Sequence, residues 1–215
     1  MSPSPPRAVL FDLGGVVLGS PLDAIREYES ELGYHRNAIN HVVAETSPDG
    51  AWSRLERGEL DLPSFYGEFE ADCLAAGLRI DAREMMERMS SASAPRHEML
   101  EAIRRLRDAG LKVGALTNNW SHTKPSGASD GTRAVRTHFD VFIESSVVGL
   151  RKPDPRIYAL ACELLETVAE AVVFLDDIGH NLKPARALGM TTIKVESAQP
   201  ALRELEAHLG IPLLA

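Results

Sequence analysis

Val9-Leu10-Phe11-Asp12-Leu13-Gly14-Gly15-Val16-Val17-Leu18 is an apolar run interrupted by one aspartate and, two residues later, by a glycine pair. Residues 7 to 13 are apolar on both faces once Arg7 is passed, which predicts a strand buried on both sides and therefore central in a parallel sheet. A carboxylate at the carboxyl end of such a strand points into the crevice where open α/β sheets bind ligands. Asp12 is thereby a candidate nucleophile or metal ligand; its bland alternative is to cap a turn. Gly15 reads as a residue serving the turn itself.

Beyond this strand the character of the chain changes twice. From Pro21 to about Ser93 only helical signals occur. Ile25, Tyr28 and Leu32 share a helical face that stops at Gly33. Residues 51 to 57 form a short helix broken at Gly58. A third helix starts at Leu62-Pro63, carries Phe65, Phe69, Cys73 and Leu74, and ends at Gly77. Asp81 caps a fourth with Met85, Met86 and Met89. The methionines and phenylalanines read as the core of a small helical insertion. Trp52 faces either that core or a pocket.

After Pro95 strands and helices alternate. A helix over 96–109 leads to a strand over 111–116, and a polar segment, 118–131, follows. Then come a short helix, a strand at 141–143, a helix from Pro155 to Glu166 and a strand over 171–175. A helix over 182–188, a strand over 191–195 and a helix over 199–209 complete the pattern. Right-handed crossovers between such units predict a Rossmann-like α/β core, a parallel sheet with helices on both faces. The domain reading is a core from residues 1–19 and 94–215, with an all-helical insertion at 20–93.

Composition removes other classes. A chain of 215 residues with 44% hydrophobic and 25% charged residues is globular in type. Its net charge of −8 argues against a nucleic-acid partner. No apolar run approaches the ~18 residues that span a bilayer, so no membrane partner is expected. Cys73 and Cys162 carry no pairing signature and read as reduced thiols. Ser2-Pro3-Ser4-Pro5-Pro6 lacks the apolar centre of a signal peptide and reads as a disordered lead-in. The expected location is cytoplasmic. No feature specifies an oligomeric state.

Three polar sites directly follow three predicted strands: Asp12, Thr117-Asn118-Asn119, and Asp176-Asp177. In a parallel sheet all three lie along one edge, so residues far apart in sequence converge. Arg151-Lys152-Pro153-Asp154-Pro155 opens a helix, and Lys152 can reach the same edge, although Arg151 competes for that role. One carboxylate, one hydroxyl, one ammonium and an acidic pair are what attack on phosphorus requires, with Mg²⁺ between carboxylates and phosphate oxygens. Each has a structural reading too: Asp176 and Asp177 as acids favoured at a helix start, Thr117 and Asn118 as turn residues, Lys152 as a surface lysine. Seven scattered histidines show no metal spacing, and His180 reads as a helix-start residue.

Phe11-Asp12-Leu13-Gly14-Gly15-Val16-Val17, Leu116-Thr117-Asn118-Asn119, Lys152-Pro153-Asp154-Pro155-Arg156-Ile157-Tyr158 and Phe174-Leu175-Asp176-Asp177-Ile178-Gly179-His180-Asn181-Leu182-Lys183 together resemble, in order, the four motifs of the haloacid dehalogenase superfamily. The resemblance is to its phosphatase branch, with a helical cap inserted after the first strand. The last two stretches are most similar to the amino-terminal phosphatase domain of soluble epoxide hydrolase and to the corresponding domain of multidomain acyl-CoA dehydrogenase relatives. The resemblance implies a small phosphorylated substrate and an aspartyl-phosphate mechanism. Asp12 is then the nucleophile, Thr117, Asn118 and Lys152 hold the phosphate, and Mg²⁺ sits on Asp12, the main-chain carbonyl of Gly14, and Asp176, Asp177 or both.

One departure matters. The family pattern places a second aspartate at position 14, where this chain has glycine. That side chain protonates the leaving alkoxide and later deprotonates water. General acid–base catalysis contributes roughly 10²–10⁴-fold, so turnover is expected to be weak, or restricted to good leaving groups. Two other expectations stay open: a catalytically silent phosphate- or partner-binding module, and a 2-haloacid dehalogenase. Two aspartates facing an incoming carboxylate count against the last.

Overall fold

The computed structural model describes residues 5–120 and 131–214. The proline-rich start at residues 1–4 and most of the polar segment, 121–130, lie outside the described residues. Five strands, β1 (Ala8–Phe11), β2 (Lys112–Thr117), β3 (Val141–Glu144), β4 (Val172–Asp176) and β5 (Thr191–Lys194), form one parallel sheet in the order β3-β2-β1-β4-β5. β1 is central, its Phe11 in register with Ala115 of β2 and Leu175 of β4. The strand order reverses beside β1, and such a switch point is where open α/β sheets hold ligands.

Successive side chains of β1 point to opposite faces. Val9 and Phe11 pack with Met99, Ile103 and Leu106 of α6 (His97–Asp108) and with Leu202 and Leu205 of α11 (Ala198–Leu209). Ala8 and Leu10 pack with Ile157 and Ala161 of α9 (Pro155–Leu164) and Leu182 of α10 (Gly179–Ala187). Two shorter helices, α7 (Gly131–Val135) and α8 (Ser145–Val148), flank β3. The fold is the Rossmann-like architecture the alternating pattern predicts.

Between β1 and α6 the chain forms α1 (Pro21–Glu31), α2 (Ala38–Glu45), α3 (Ala51–Glu56), α4 (Leu62–Ala75) and α5 (Ala82–Ser91). These helices enclose a separate apolar cluster that includes Ile25, Tyr28, Trp52, Phe65, Phe69, Cys73, Met85 and Met89. Leu18 and Pro95 pair as an antiparallel bridge where the chain leaves and re-enters the sheet layer. Burial pushes the Cys73 thiol up to about 12, which keeps it protonated and inert. No helix among the described residues is long and apolar enough to cross a membrane.

Three local expectations are corrected. The first strand ends at Phe11 rather than 13, because Leu13–Val17 closes a wide helical turn in which Leu18 N–H donates to the Leu13 carbonyl at 2.8 Å. α2 is an additional helix that the periodicity does not announce. Buried Glu29 of α1 starts it, accepting from the N–H groups of Asn37 (2.7 Å) and Ile39 (2.8 Å). α10 begins at Gly179, three residues before the expected 182.

Candidate active site

Asp12 directly follows β1, Thr117 ends β2 and Asp176 ends β4, so parallel register delivers all three to one sheet edge. Lys152 precedes α9 and reaches in from beside the sheet. Its ammonium is buried between two carboxylates, 2.8 Å from Asp12 Oδ1 and 2.6 Å from Asp176 Oδ2. Lys152 is 1% exposed, Asp176 0%, Asp12 6% and Thr117 4%. A lysine this deep is stable only when paired. Arg151 takes the other direction, its Nε donating to Glu56 of α3 at 2.5 Å. Of the two cations, the structure brings Lys152 to the carboxylates and turns Arg151 away from them.

Carboxylate oxygens of Asp12, Asp176 and Asp177 lie within 4.8 Å of one another. The three are not equivalent. Asp176 accepts from Lys152 Nζ, from Ile178 N–H at 2.7 Å and from Asn181 Nδ2 at 3.2 Å on each oxygen. Asp177 instead has a buried Oδ1 with no partner among the described residues. An ionised carboxylate is acceptor-only, so this orphaned oxygen beside a second anion suits a hard cation. Burial pushes the Asp12 carboxyl up to about 8, Lys152 opposing and Asp176 and Asp177 adding to the rise. Burial and the Asp176 charge lift Asp177 to about 6. Burial alone would lower the Lys152 ammonium, but Asp12 and Asp176 outweigh it and hold it above its ordinary value.

The glycine pair fits this cluster in two ways. Gly15 has φ +79°, and a Cβ there would lie 2.3 Å from Asp177 Oδ2. Only glycine combines that conformation with the close approach of the carboxylate. Gly14 has φ −64° and ψ 124°, a conformation open to any residue, but a Cβ would meet Pro21 Cδ and Cγ at 3.2 Å. Crowding by the first residue of α1, not backbone strain, therefore discourages a side chain at 14.

Asn118 has its amide engaged with the Lys152 peptide on both sides. Its Oδ1 accepts from Lys152 N–H at 2.8 Å, and its Nδ2 donates to the Lys152 carbonyl at 3.0 Å. Sequence reading assigns no role to three further residues. Glu56 accepts from Asn118 Nδ2 (3.2 Å) and from the Trp52 indole (3.0 Å) besides Arg151. Asn181 anchors Asp176, and Tyr158 fixes Asn181 by donating to its carbonyl at 2.7 Å. Asn181 follows a strand-end aspartate by five positions, a signal that could have been read. The contacts by which Glu56 and Tyr158 reach the site have no local signal, because Arg151, Asn118 and Asn181 lie in other parts of the chain.

A cavity of about 700 Å³ opens above the cluster. Asp12, Thr117, Lys152 and Asp177 form its floor, while Leu22, Val43, Ala44, Trp52, Met89 and Trp120 give it apolar walls. Trp52 serves both readings it left open: it packs on Phe69 at 5.3 Å between ring centroids and also lines the cavity. His180 lies exposed at the rim.

A strand-end aspartate buried against a lysine, with an acidic pair across the sheet switch point, gathers three carboxylates and one ammonium at the floor of one cavity of an α/β fold. The haloacid dehalogenase-like hydrolase family model matches residues 6–189, and the chain belongs to that family. It is 36% identical over 222 residues to bifunctional epoxide hydrolase 2 of Sus scrofa, which covers 97% of this chain but only 40% of that protein. It is 26% identical over 208 residues to sesquiterpene phosphatase astK of Aspergillus oryzae, spanning 95% of this chain and 97% of the relative. Among solved structures, a family enzyme of Bacteroides thetaiotaomicron in complex with magnesium and inorganic phosphate shares the fold. That match has a TM-score of 0.60 at 17% identity, over 92% of this chain and 98% of the other. A hydrolase with phosphatase relatives is what the resemblance leads one to expect.

Proposed function

We propose that the protein is a Mg²⁺-dependent phosphatase-like hydrolase acting through an aspartyl phosphate at Asp12, with residues 20–93 as its cap. The observation that carries the proposal is the convergence of Asp12, Lys152 and Asp177 on one cavity floor. Asp12 attacks phosphorus, the oxygen–phosphorus bond to the leaving group breaks, and water later releases phosphate from the acyl phosphate. Lys152 holds the Asp12 carboxylate and a phosphate oxygen, and the Thr117 hydroxyl donates to another. Asn118 acts by fixing the Lys152 peptide.

The donor set fits Mg²⁺, which takes oxygen ligands and needs few from protein. Asp12, the Gly14 carbonyl and the orphaned Asp177 oxygen would hold it, while Asp176, whose oxygens are already engaged, orients Lys152. Bound there, the cation supplies charge neutralisation for the phosphate oxygens.

With glycine at 14, no carboxylic acid stands where a leaving alkoxide needs its proton. Aryl and acyl phosphates, whose leaving groups need little protonation, are therefore the favoured substrates. The apolar walls favour a phosphate monoester with a hydrocarbon body, a preference to which the sesquiterpene phosphatase relative lends support. A second reading, a silent phosphate-binding module, draws on the same glycine. Hydrolysis of an aryl phosphate with Mg²⁺ separates them: turnover lost in Asp12→Asn supports the enzyme. Full activity in Asp12→Asn refutes the nucleophile, and tight phosphate binding without turnover on any substrate favours the module.

A further inference from the structure

One side chain of the helical cap, Glu56, reaches the loops that carry the chemistry with two hydrogen bonds and makes a third within its own helix. Glu56 sits at the end of α3, is 6% exposed and has both oxygens engaged. Oε1 accepts the Trp52 indole N–H, and Oε2 accepts from Arg151 and from Asn118. Arg151 immediately precedes Lys152, and Asn118 holds the Lys152 peptide from both sides. Two residues on, Gly58 docks the same segment onto α8, with φ +72° and Ser146 O only 2.3 Å from where a Cβ would stand.

We propose that Glu56 is a positioning residue: through Asn118 and Arg151 it sets where the Lys152 ammonium sits against Asp12, and so couples seating of the cap to the reacting groups. The chemistry behind this is the handedness of an amide. Turned over, Asn118 would face the Lys152 N–H with its own donors and the carbonyl with its own oxygen, and both bonds would be lost. An acidic acceptor on the cap fixes the correct orientation, because only Nδ2 can donate to it. The Glu56 charge also holds Arg151 away from Asp12, leaving that place to Lys152. Trp52 extends the link to the cavity wall, so a hydrocarbon body resting on the indole bears on the residue that orders the floor.

The inference rests on the phosphatase reading for its kinetic readout, but not for its structural one. In Glu56→Ala, kcat for an aryl phosphate is expected to fall about tenfold or more, near 1.4 kcal/mol of barrier, with KM changed less than about threefold. Glu56→Gln keeps an oxygen for Asn118 and recovers part of the loss; a role limited to charge or packing would not give that graded recovery. Glu68→Gln, which breaks the exposed Arg54 pair elsewhere in the cap, leaves kcat unchanged. Orthovanadate affinity and a crystal structure of Glu56→Ala are read alongside. A displaced Lys152 Nζ with weaker vanadate binding supports the proposal even if no substrate turns over, in which case the phosphatase reading alone has failed. A variant that loses thermal stability while Lys152 stays within hydrogen-bond reach of Asp12 and kcat holds would overturn it.

Discussion

Restoring a carboxylic acid at position 14 should raise turnover, and the structure says by how much and at what cost. Gly14→Asp needs no unusual backbone, since φ is −64°. Its Cβ would stand 3.2 Å from two Pro21 carbons, a few tenths of an ångström too close. Mild overpacking of this kind costs about 1 kcal/mol, or roughly 2–4 °C in Tm for a chain of this size. A positioned acid contributes about 10²-fold at the lower end of its range, equivalent to about 2.7 kcal/mol of barrier. A cost of about 1 kcal/mol is small against the roughly 5–15 kcal/mol that holds a domain folded, so the gain is measurable in folded protein. It should fall on alkyl phosphates, whose leaving groups need the proton, and little on aryl phosphates. The assay is kcat/KM for matched alkyl and aryl phosphates in wild type, Gly14→Asp and Gly14→Asp/Pro21→Ala, the last relieving the contact. If the double variant melts as wild type does and its alkyl-to-aryl ratio is unchanged, the missing-acid reasoning is wrong.

Further outcomes follow from the same geometry. Lys152→Met leaves Asp12 and Asp176 buried without their shared cation and should cost about 3–5 kcal/mol in urea unfolding; a loss below about 1 kcal/mol would contradict the buried triad. Gly15→Ala pushes a methyl against Asp177 and should weaken Mg²⁺ binding by about 10–100-fold in calorimetry, whereas unchanged affinity would remove Asp177 from the metal site. Metal-free, the carboxyls of Asp12 and Asp177 are held up to about 8 and about 6 from 3.8, so the folded state keeps protons an unfolded chain releases. That stability contribution is full below pH 3.8 and is lost as pH rises through about 6 and then about 8. On the proposed site, Mg²⁺ would displace these protons and bind more tightly as pH rises through this window. Calorimetry in two buffers of different ionisation enthalpy should detect proton release at neutral pH, and none detected would contradict the assignment.

How much of this was legible in the chain depends on the range of the interaction. β1 announced itself because a strand buried on both faces must be apolar throughout, and Asp12 stood out as the carboxylate ending it. Asp176 and Thr117 followed from parallel topology, which places strand ends together. What escaped was set by partners in neighbouring or remote elements. α2 owes its start to buried Glu29 on α1, eight residues before Asn37 and ten before Ile39, beyond the few positions in which a helix-start signal is read. Glu56 carries no role in the sequence reading and gains one only when Arg151 and Asn118 are seen around it. The crowding at Gly14 comes from Pro21, which reads along the chain only as a helix start. The division between Asp176 and Asp177 was equally invisible, since it depends on which carboxylate Lys152 and Asn181 reach.

The nucleophilic role of Asp12 is tested most directly by trapping its phosphorylated form. Wild-type protein is mixed with Mg²⁺ and an aryl phosphate, quenched in acid and reduced with borohydride, and its peptides are read by mass spectrometry. Conversion of residue 12 to homoserine, absent in Asp12→Asn and without Mg²⁺, is the predicted result. Steady turnover with residue 12 never modified, or the mark found on another carboxylate, would contradict it.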